Sequence, residues 1–218
     1  MNIENARFNM IEQQIRPWDV LDLDVLGLLS IVKRENYVQP EYRDLAFADL
    51  ELPLPGGRSK MLFPRVEARV LQELTVKKHE NVLLIGAGSG YLAALFAHRA
   101  QHVTAVEIDP AIAKFAEDNL RNDGVTNAEV VLGDGSRGWA GKAPYDVICV
   151  AGGLPVVPQE MLEQLKVGGR LSAFVGGRPV MKAQIITRID DKQYRVADVF
   201  ETYIDHLVNA IEPSRFKF

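Results

Sequence analysis

One cysteine among 218 residues rules out an intramolecular disulfide framework. Cys149 sits in the apolar run Val147-Ile148-Cys149-Val150, where it reads as a small buried hydrophobe. No charge-free stretch reaches the roughly 20 residues a membrane helix needs. The longest, Asn81 to Ala97, carries three glycines within five positions and reads as a globular core segment. The first twenty residues include Glu4, Arg7, Glu12, Arg16 and Asp19 and hold no apolar core of a secretory signal, so a cytoplasmic location is expected. Lys and Arg, 25 in all, are outnumbered by 29 Asp and Glu and form no cluster. The counterion release that drives nucleic-acid binding is therefore missing, and neither nucleic acid nor membrane is expected as a partner. Low-complexity tracts and internal repeats are absent too, and the length suits one domain.

What is present divides in style along the chain. In residues 1–50 the apolar positions Phe8, Ile11 and Ile15 make one helical stripe, and Val25, Leu26, Leu29 and Val32 make a second after the capping candidate Asp22. Pro17 separates them. Pro40 and the run Leu52-Pro53-Leu54-Pro55-Gly56-Gly57 break regular structure, which predicts a loop over 51–64 and a helix over 65–75. From Asn81 onward short apolar runs at 81–86, 102–107, 128–132, 145–151 and 170–175 alternate with helical stretches near 90–99, 110–122 and 158–166. Buried runs separated by helices imply an α/β fold, a mostly parallel sheet with helices on both faces. Two β-rich runs, 183–189 and 194–200, flank Asp190-Asp191-Lys192 and predict an antiparallel hairpin at the sheet's end.

The strand Val82-Leu83-Leu84-Ile85 runs into Gly86-Ala87-Gly88-Ser89-Gly90 and then a helix. Glycines at such a turn let backbone N–H groups approach a ligand. A dinucleotide fingerprint, G-x-G-x-x-G, would place glycine at position 91, where this chain has Tyr91. The next strand ends in Glu107, 17 positions after Gly90, where a carboxylate can accept both hydroxyls of a ribose. After the third strand, Gly133-Asp134-Gly135 offers an Asp side chain and flanking amides to an adenine. Each alone has a plain structural reading, a tight turn or a loop acid. Together, at the carboxyl ends of successive parallel strands, they face one crevice and point to a nucleoside cofactor. His98 and His102 have helical ligand spacing, but His102 already opens a strand, so no metal site is expected.

This order of G-x-G-x-G, strand-end acid and Asp loop resembles the S-adenosylmethionine site of Rossmann-like methyltransferases. The resemblance narrows to the protein-L-isoaspartate O-methyltransferase family through Met10-Ile11, Gln14-Ile15-Arg16, Val25-Leu26, Arg34-Glu35, Tyr37-Val38, Ala46 to Asp49, Ile85 to Tyr91, Gly133-Asp134-Gly135, Gly138-Trp139, Ala143-Pro144-Tyr145-Asp146 and Gly168-Gly169-Arg170-Leu171. It implies S-adenosylmethionine held by Gly86, Ala87, Gly88, Gly90, Glu107, Ile108, Asp134 and Gly135. It also implies a single methyltransferase domain over 1–218, with an N-terminal helical cap and acceptor loop over 1–64 and a cofactor-binding core over 65–218. The implied substrate is the isoaspartyl carboxylate of damaged proteins; its methyl ester collapses to a succinimide that reopens partly to aspartate.

The acceptor loop departs from the family pattern, P-L-P-I-G-x-G-Q-T-I-S-x-P, whose serine is assigned to the active site. Here Gly57 to Pro64 is one residue longer and Met61 or Leu62 falls at the serine's place. Ser59, the only hydroxyl nearby, takes the catalytic role if the loop is shifted, with Arg58 and Lys60 as substrate-binding cations. Two alternatives remain at this level: the same fold acting on another acceptor such as a small molecule, and a cofactor-binding protein without turnover.

Overall fold

A computed structural model describes residues 2–212. Its centre is one seven-stranded sheet in the order β3-β2-β1-β4-β5-β6-β7. The strands are β1 (Asn81–Ile85), β2 (His102–Glu107), β3 (Ala128–Leu132), β4 (Tyr145–Leu154), β5 (Leu165–Gly177), β6 (Val180–Arg188) and β7 (Tyr194–Thr202). The first five pair in parallel and the last two add an antiparallel hairpin at one edge, as the patterning implies. The helices α1 (Ile3–Met10), α2 (Leu23–Ile31), α3 (Pro64–Leu74), α4 (Tyr91–Ala97), α5 (Pro110–Asn122) and α6 (Gln159–Glu163) complete the fold.

The expected helix over 158–166 shrinks to α6, because Leu165 is drawn into the sheet opposite Tyr145 before the ladder resumes at Val147 and Arg170. At the amino end, α1 runs into a π-helical turn, Ile11–Ile15. Arg7 and Met10 are buried before this turn, and Ile11 and Ile15 within it. Phe8, expected on the apolar stripe, is 62% exposed because Arg7 takes the inward position and pairs with Glu35. Asp22 caps α2 by accepting from the N–H groups of Asp24 and Val25.

Helix α3 begins at Pro64, where a missing N–H costs nothing, and buries Val66, Val70, Leu71 and Leu74. N-terminal residues such as Ile15 and Leu29 share one apolar cluster with α3, α4 and the sheet residues Leu84, Val103 and Cys149. The opposite face of the sheet packs Leu83, Ile148 and Leu171 against Met161. Between β1 and β4 the chain leaves the sheet in opposite directions, toward β2 on one side and β5 on the other. A crevice opens outside the carboxyl ends of the strands at such a switch point.

Candidate functional site

The turn after β1 supplies the floor of this crevice. Gly86, Gly88 and Gly90 all have positive φ, at 86°, 56° and 84°. L side chains rarely adopt that backbone. Their surroundings differ, however. Around Gly88 the nearest atom to an added Cβ would be Leu54 Cδ1 at 3.8 Å, leaving the turn open toward the crevice, whereas at Gly90 a Cβ would stand 3.0 Å from the Ala116 carbonyl oxygen. Gly86, Ala87 and Gly88 therefore line the cavity, and Gly90 serves the close packing of α4 on α5.

Glu107, at the end of β2, is only 8% exposed. One carboxylate oxygen accepts from the N–H of Gly88 at 3.1 Å, and the other from Ile108 and Asp109 at 3.0 and 3.2 Å. These donors fix the carboxylate while its edge lines the cavity beside Ile108. Asp134 accepts from Ser136 N–H at 2.8 Å, the main contact that lowers its pKa, and from Asn209 Nδ2 at 2.9 Å. Gly135 has no room for a side chain, since a Cβ would lie 2.8 Å from Ile85.

The structure divides the crevice into two hollows. The larger, about 270 Å³, is lined by the glycine turn, Glu107, Ile108 and the loop residues Arg58, Ser59 and Lys60. The smaller, about 40 Å³, lies against Asp134 and Gly135 and shares Gly86, Glu107 and Ile108 with the first. All the sequence-expected site residues except Gly90 thus line one of two connected hollows. A nucleoside fits this arrangement: an acidic group stands between the glycine turn and an Asp loop, and open turn backbone faces it.

The acceptor loop closes as a small hairpin. Leu54 N–H donates to Ser59 O at 2.9 Å and Met61 N–H to Leu52 O at 2.8 Å, with Pro53 bridging Lys60. The turn at its tip uses Gly56 and Gly57, both at positive φ. Arg58, Ser59 and Lys60 are exposed on the side facing the cavity, while Met61 and Leu62, 4% and 6% exposed, belong to the apolar cluster and line the same cavity. Lys60 Nζ stands 3.7 Å from Glu51, whose pKa burial raises against the opposing pull of Lys60.

Sequence reasoning missed two parts of the wall. Glu67 lines the cavity from α3, one oxygen taken by Arg34. Burial outweighs that guanidinium and holds its carboxyl at about 7. The readable signal is an acid at 67 in phase with the buried stripe at 70, 71 and 74. The other is the segment Ile204 to Val208, which crosses the crevice. It is tied to β4 by Gly153 N–H to Asp205 O at 2.8 Å and Leu207 N–H to Gly153 O at 2.9 Å. Its trace in sequence is Gly152-Gly153, where an added Cβ would strike Leu207 at 2.4 Å and the Ile204 carbonyl at 2.5 Å.

Tyr91, buried at the start of α4, closes off the third glycine position of a dinucleotide site. The class that this sheet order and crevice define is a Rossmann-like methyltransferase. The family described as protein-L-isoaspartate(D-aspartate) O-methyltransferase matches residues 5–208, and the chain belongs to it. A protein-L-isoaspartate O-methyltransferase of Methanoculleus marisnigri is 38% identical over 193 residues, 88% of this chain and 86% of that one. One from Rhodopseudomonas palustris strain HaA2 is 43% identical over 170 residues, covering 78% and 69%. A solved protein-L-isoaspartate O-methyltransferase superposes with TM-score 0.81 at 25% identity, covering 93% of this chain and 66% of that one. A solved Plasmodium falciparum protein described as a putative enzyme of this kind, in complex with S-adenosyl-L-homocysteine, shares the fold at TM-score 0.79 and 17% identity, covering 95% and 99%.

Proposed function

We propose that this chain methylates the carboxylate of L-isoaspartyl residues in damaged proteins, with Gly86, Ala87, Gly88, Glu107, Ile108, Asp134 and Gly135 holding S-adenosylmethionine. The observation that carries this reading is the placement of Arg58, Ser59 and Lys60 on the same cavity as the glycine turn and Glu107. Bound S-adenosylmethionine supplies a sulfonium methyl, and displacement by a carboxylate oxygen leaves a methyl ester and a neutral thioether. An acceptor carboxyl with a pKa near 4 is already ionised at neutral pH, so the residues need remove no proton. Their task is alignment and exclusion of water. The hairpin of 52–61 and the segment 204–208 wall the acceptor side, and the exposed cations Arg58 and Lys60 favour an anionic substrate. Residues 1–64 act as a cap on the core over 65–218, the two folding as one unit. No helix among the described residues is long and apolar enough to cross a membrane, and the lone buried thiol of Cys149 suits a reducing, cytoplasmic setting.

A second reading keeps the donor and changes the acceptor. It is favoured by the burial of Met61 and Leu62 at the family serine's place, which leaves Ser59, at the exposed rim, as the only hydroxyl of the loop over 51–64. Labelled methyl transfer to an isoaspartyl peptide and its aspartyl twin separates the two: ester formed on the first peptide alone supports the proposal, and none on either points to another acceptor.

A further inference from the structure

Three of the six buried charged residues are paired away from the crevice, Arg7 with Glu35 and Glu80 with Arg170. Glu67 is different. Its side chain is 5% exposed, its Oε2 accepts from Arg34 Nη1, and Arg34 is itself fixed by Leu62 O at 3.1 Å and by the face of Tyr91, 5.2 Å from the ring centroid. Among the described residues Oε1 accepts no hydrogen bond, and the carboxylate forms part of the cavity wall together with Ala87, Ser89 and Leu92. Oε1 is not among the sealed, unpartnered atoms of the interior; it opens on the cavity, so a donor that enters the cavity can reach it.

Position says which donor. Glu107 and the Asp134 hollow mark the nucleoside end of the crevice, at Gly88. From there the turn continues through Ser89 to α4, and Glu67 stands at that far end, near Tyr91. A substituent leaving the ribose along the turn enters the cavity that Glu67 lines, where Arg58 and Lys60 are cations that repel an ammonium. We infer that Glu67, oriented by Arg34, is the ligand for the α-ammonium of the amino-acid tail carried by the nucleoside cofactor. The inference rests on the cofactor assignment of the preceding section and assigns a residue that neither the glycine turn nor the strand-end acid accounts for.

The groups facing Glu67 are Arg34 from the cap, Tyr91 from α4 and Cys149 from β4, with Arg7 and Glu35 behind Tyr91. Burial drives the Tyr91 hydroxyl upward and the Cys149 thiol up to about 12, so neither changes charge near neutrality. Glu67, at about 7, does. A cation arriving beside it expels its proton, so binding below neutrality releases a proton and tightens as pH rises toward about 7.

The test is calorimetry with S-adenosylhomocysteine and with methylthioadenosine, which lacks the amino-acid tail, on wild type and Glu67→Gln. For S-adenosylhomocysteine the expected loss in Glu67→Gln is roughly ten- to a hundredfold, the range for a charged hydrogen bond. Methylthioadenosine affinity should be the same in both proteins, and the proton release seen by wild type in paired buffers near pH 6.5 should vanish in the variant. Equal losses for both ligands, or no loss for either, would overturn the role of Glu67 while leaving the cofactor assignment standing. Wild type binding neither nucleoside would remove both. Should Glu67→Gln fail to fold, the wild-type measurement decides alone: S-adenosylhomocysteine binding no more tightly than methylthioadenosine overturns the inference.

Discussion

Glu107 holds its place through backbone donors from its own loop and from the glycine turn, so its charge is oriented before any ligand arrives. Glu107→Gln keeps the shape, removes the charge and replaces one acceptor oxygen with a donor that opposes these N–H groups. S-adenosylmethionine affinity should fall roughly ten- to a hundredfold, read by calorimetry, since hydrogen bonds to charged groups contribute about 1.5–3 kcal/mol. Binding unchanged within twofold would show that the ribose is held elsewhere. Arg58 belongs to the other end of the cavity. Arg58→Ala should raise KM for an isoaspartyl peptide several-fold and leave S-adenosylmethionine affinity alone, and an unchanged KM would mean that this side chain is only a solvated loop charge. At this scale the sequence was legible where position follows from local pattern: Glu107 and Asp134, read from a strand end and from loop composition, both line the crevice. It was less legible where the job is close approach. Gly90 looks like a cofactor glycine, yet it lines neither hollow and an added Cβ there would run into Ala116.

Residues before Pro64 join the rest of the chain through a shared apolar cluster and, within it, a buried ion pair. Arg34 comes from the segment after α2, Glu67 from α3, and both are almost fully buried. Removing one partner strands the other, so Arg34→Met should cost about 3–5 kcal/mol, lowering Tm by roughly 10 °C in a chain of this size. Scanning calorimetry that finds a change under a degree would contradict the pairing. The pair also gives a pH signature. Glu67 sits at about 7 against an ordinary 4.5, so the native state binds this proton more tightly than the unfolded chain. Its contribution to stability therefore declines as pH rises from about 4.5 to about 7, and Glu67→Gln should flatten that slope in denaturant titrations compared with wild type. Asp134, Glu80 and Asp146, whose carboxyls are lowered, act in the opposite sense in acid, and they are common to both proteins. The helices and strands themselves were mostly readable from periodicity. The exceptions were α6, cut short by sheet pairing at Leu165, and Phe8, turned outward because Arg7 is drawn inward by Glu35. Both outcomes depend on partners tens of residues away, which a local pattern does not contain.

Across the whole molecule, the sheet order brings three loops to one crevice, and two distant segments, 51–62 and 204–208, complete its walls. The first was legible as a proline- and glycine-rich loop. The second carries no periodicity, and only the close-packed Gly152 and Gly153 betray it. The cap shares its core with the sheet and supplies Arg34, so a chain starting near Pro64 would expose apolar surface and leave Glu67 unpaired. Such a truncation should aggregate or lose methyl transfer, whereas a soluble, fully active fragment would show the cap to be dispensable. The most direct test of the central claim is transfer of labelled methyl from S-adenosylmethionine to an isoaspartyl peptide and to the same peptide with normal aspartate. Base-labile label on the isoaspartyl peptide alone is the predicted result; no label on it, while the protein still binds the donor, would contradict the assigned acceptor.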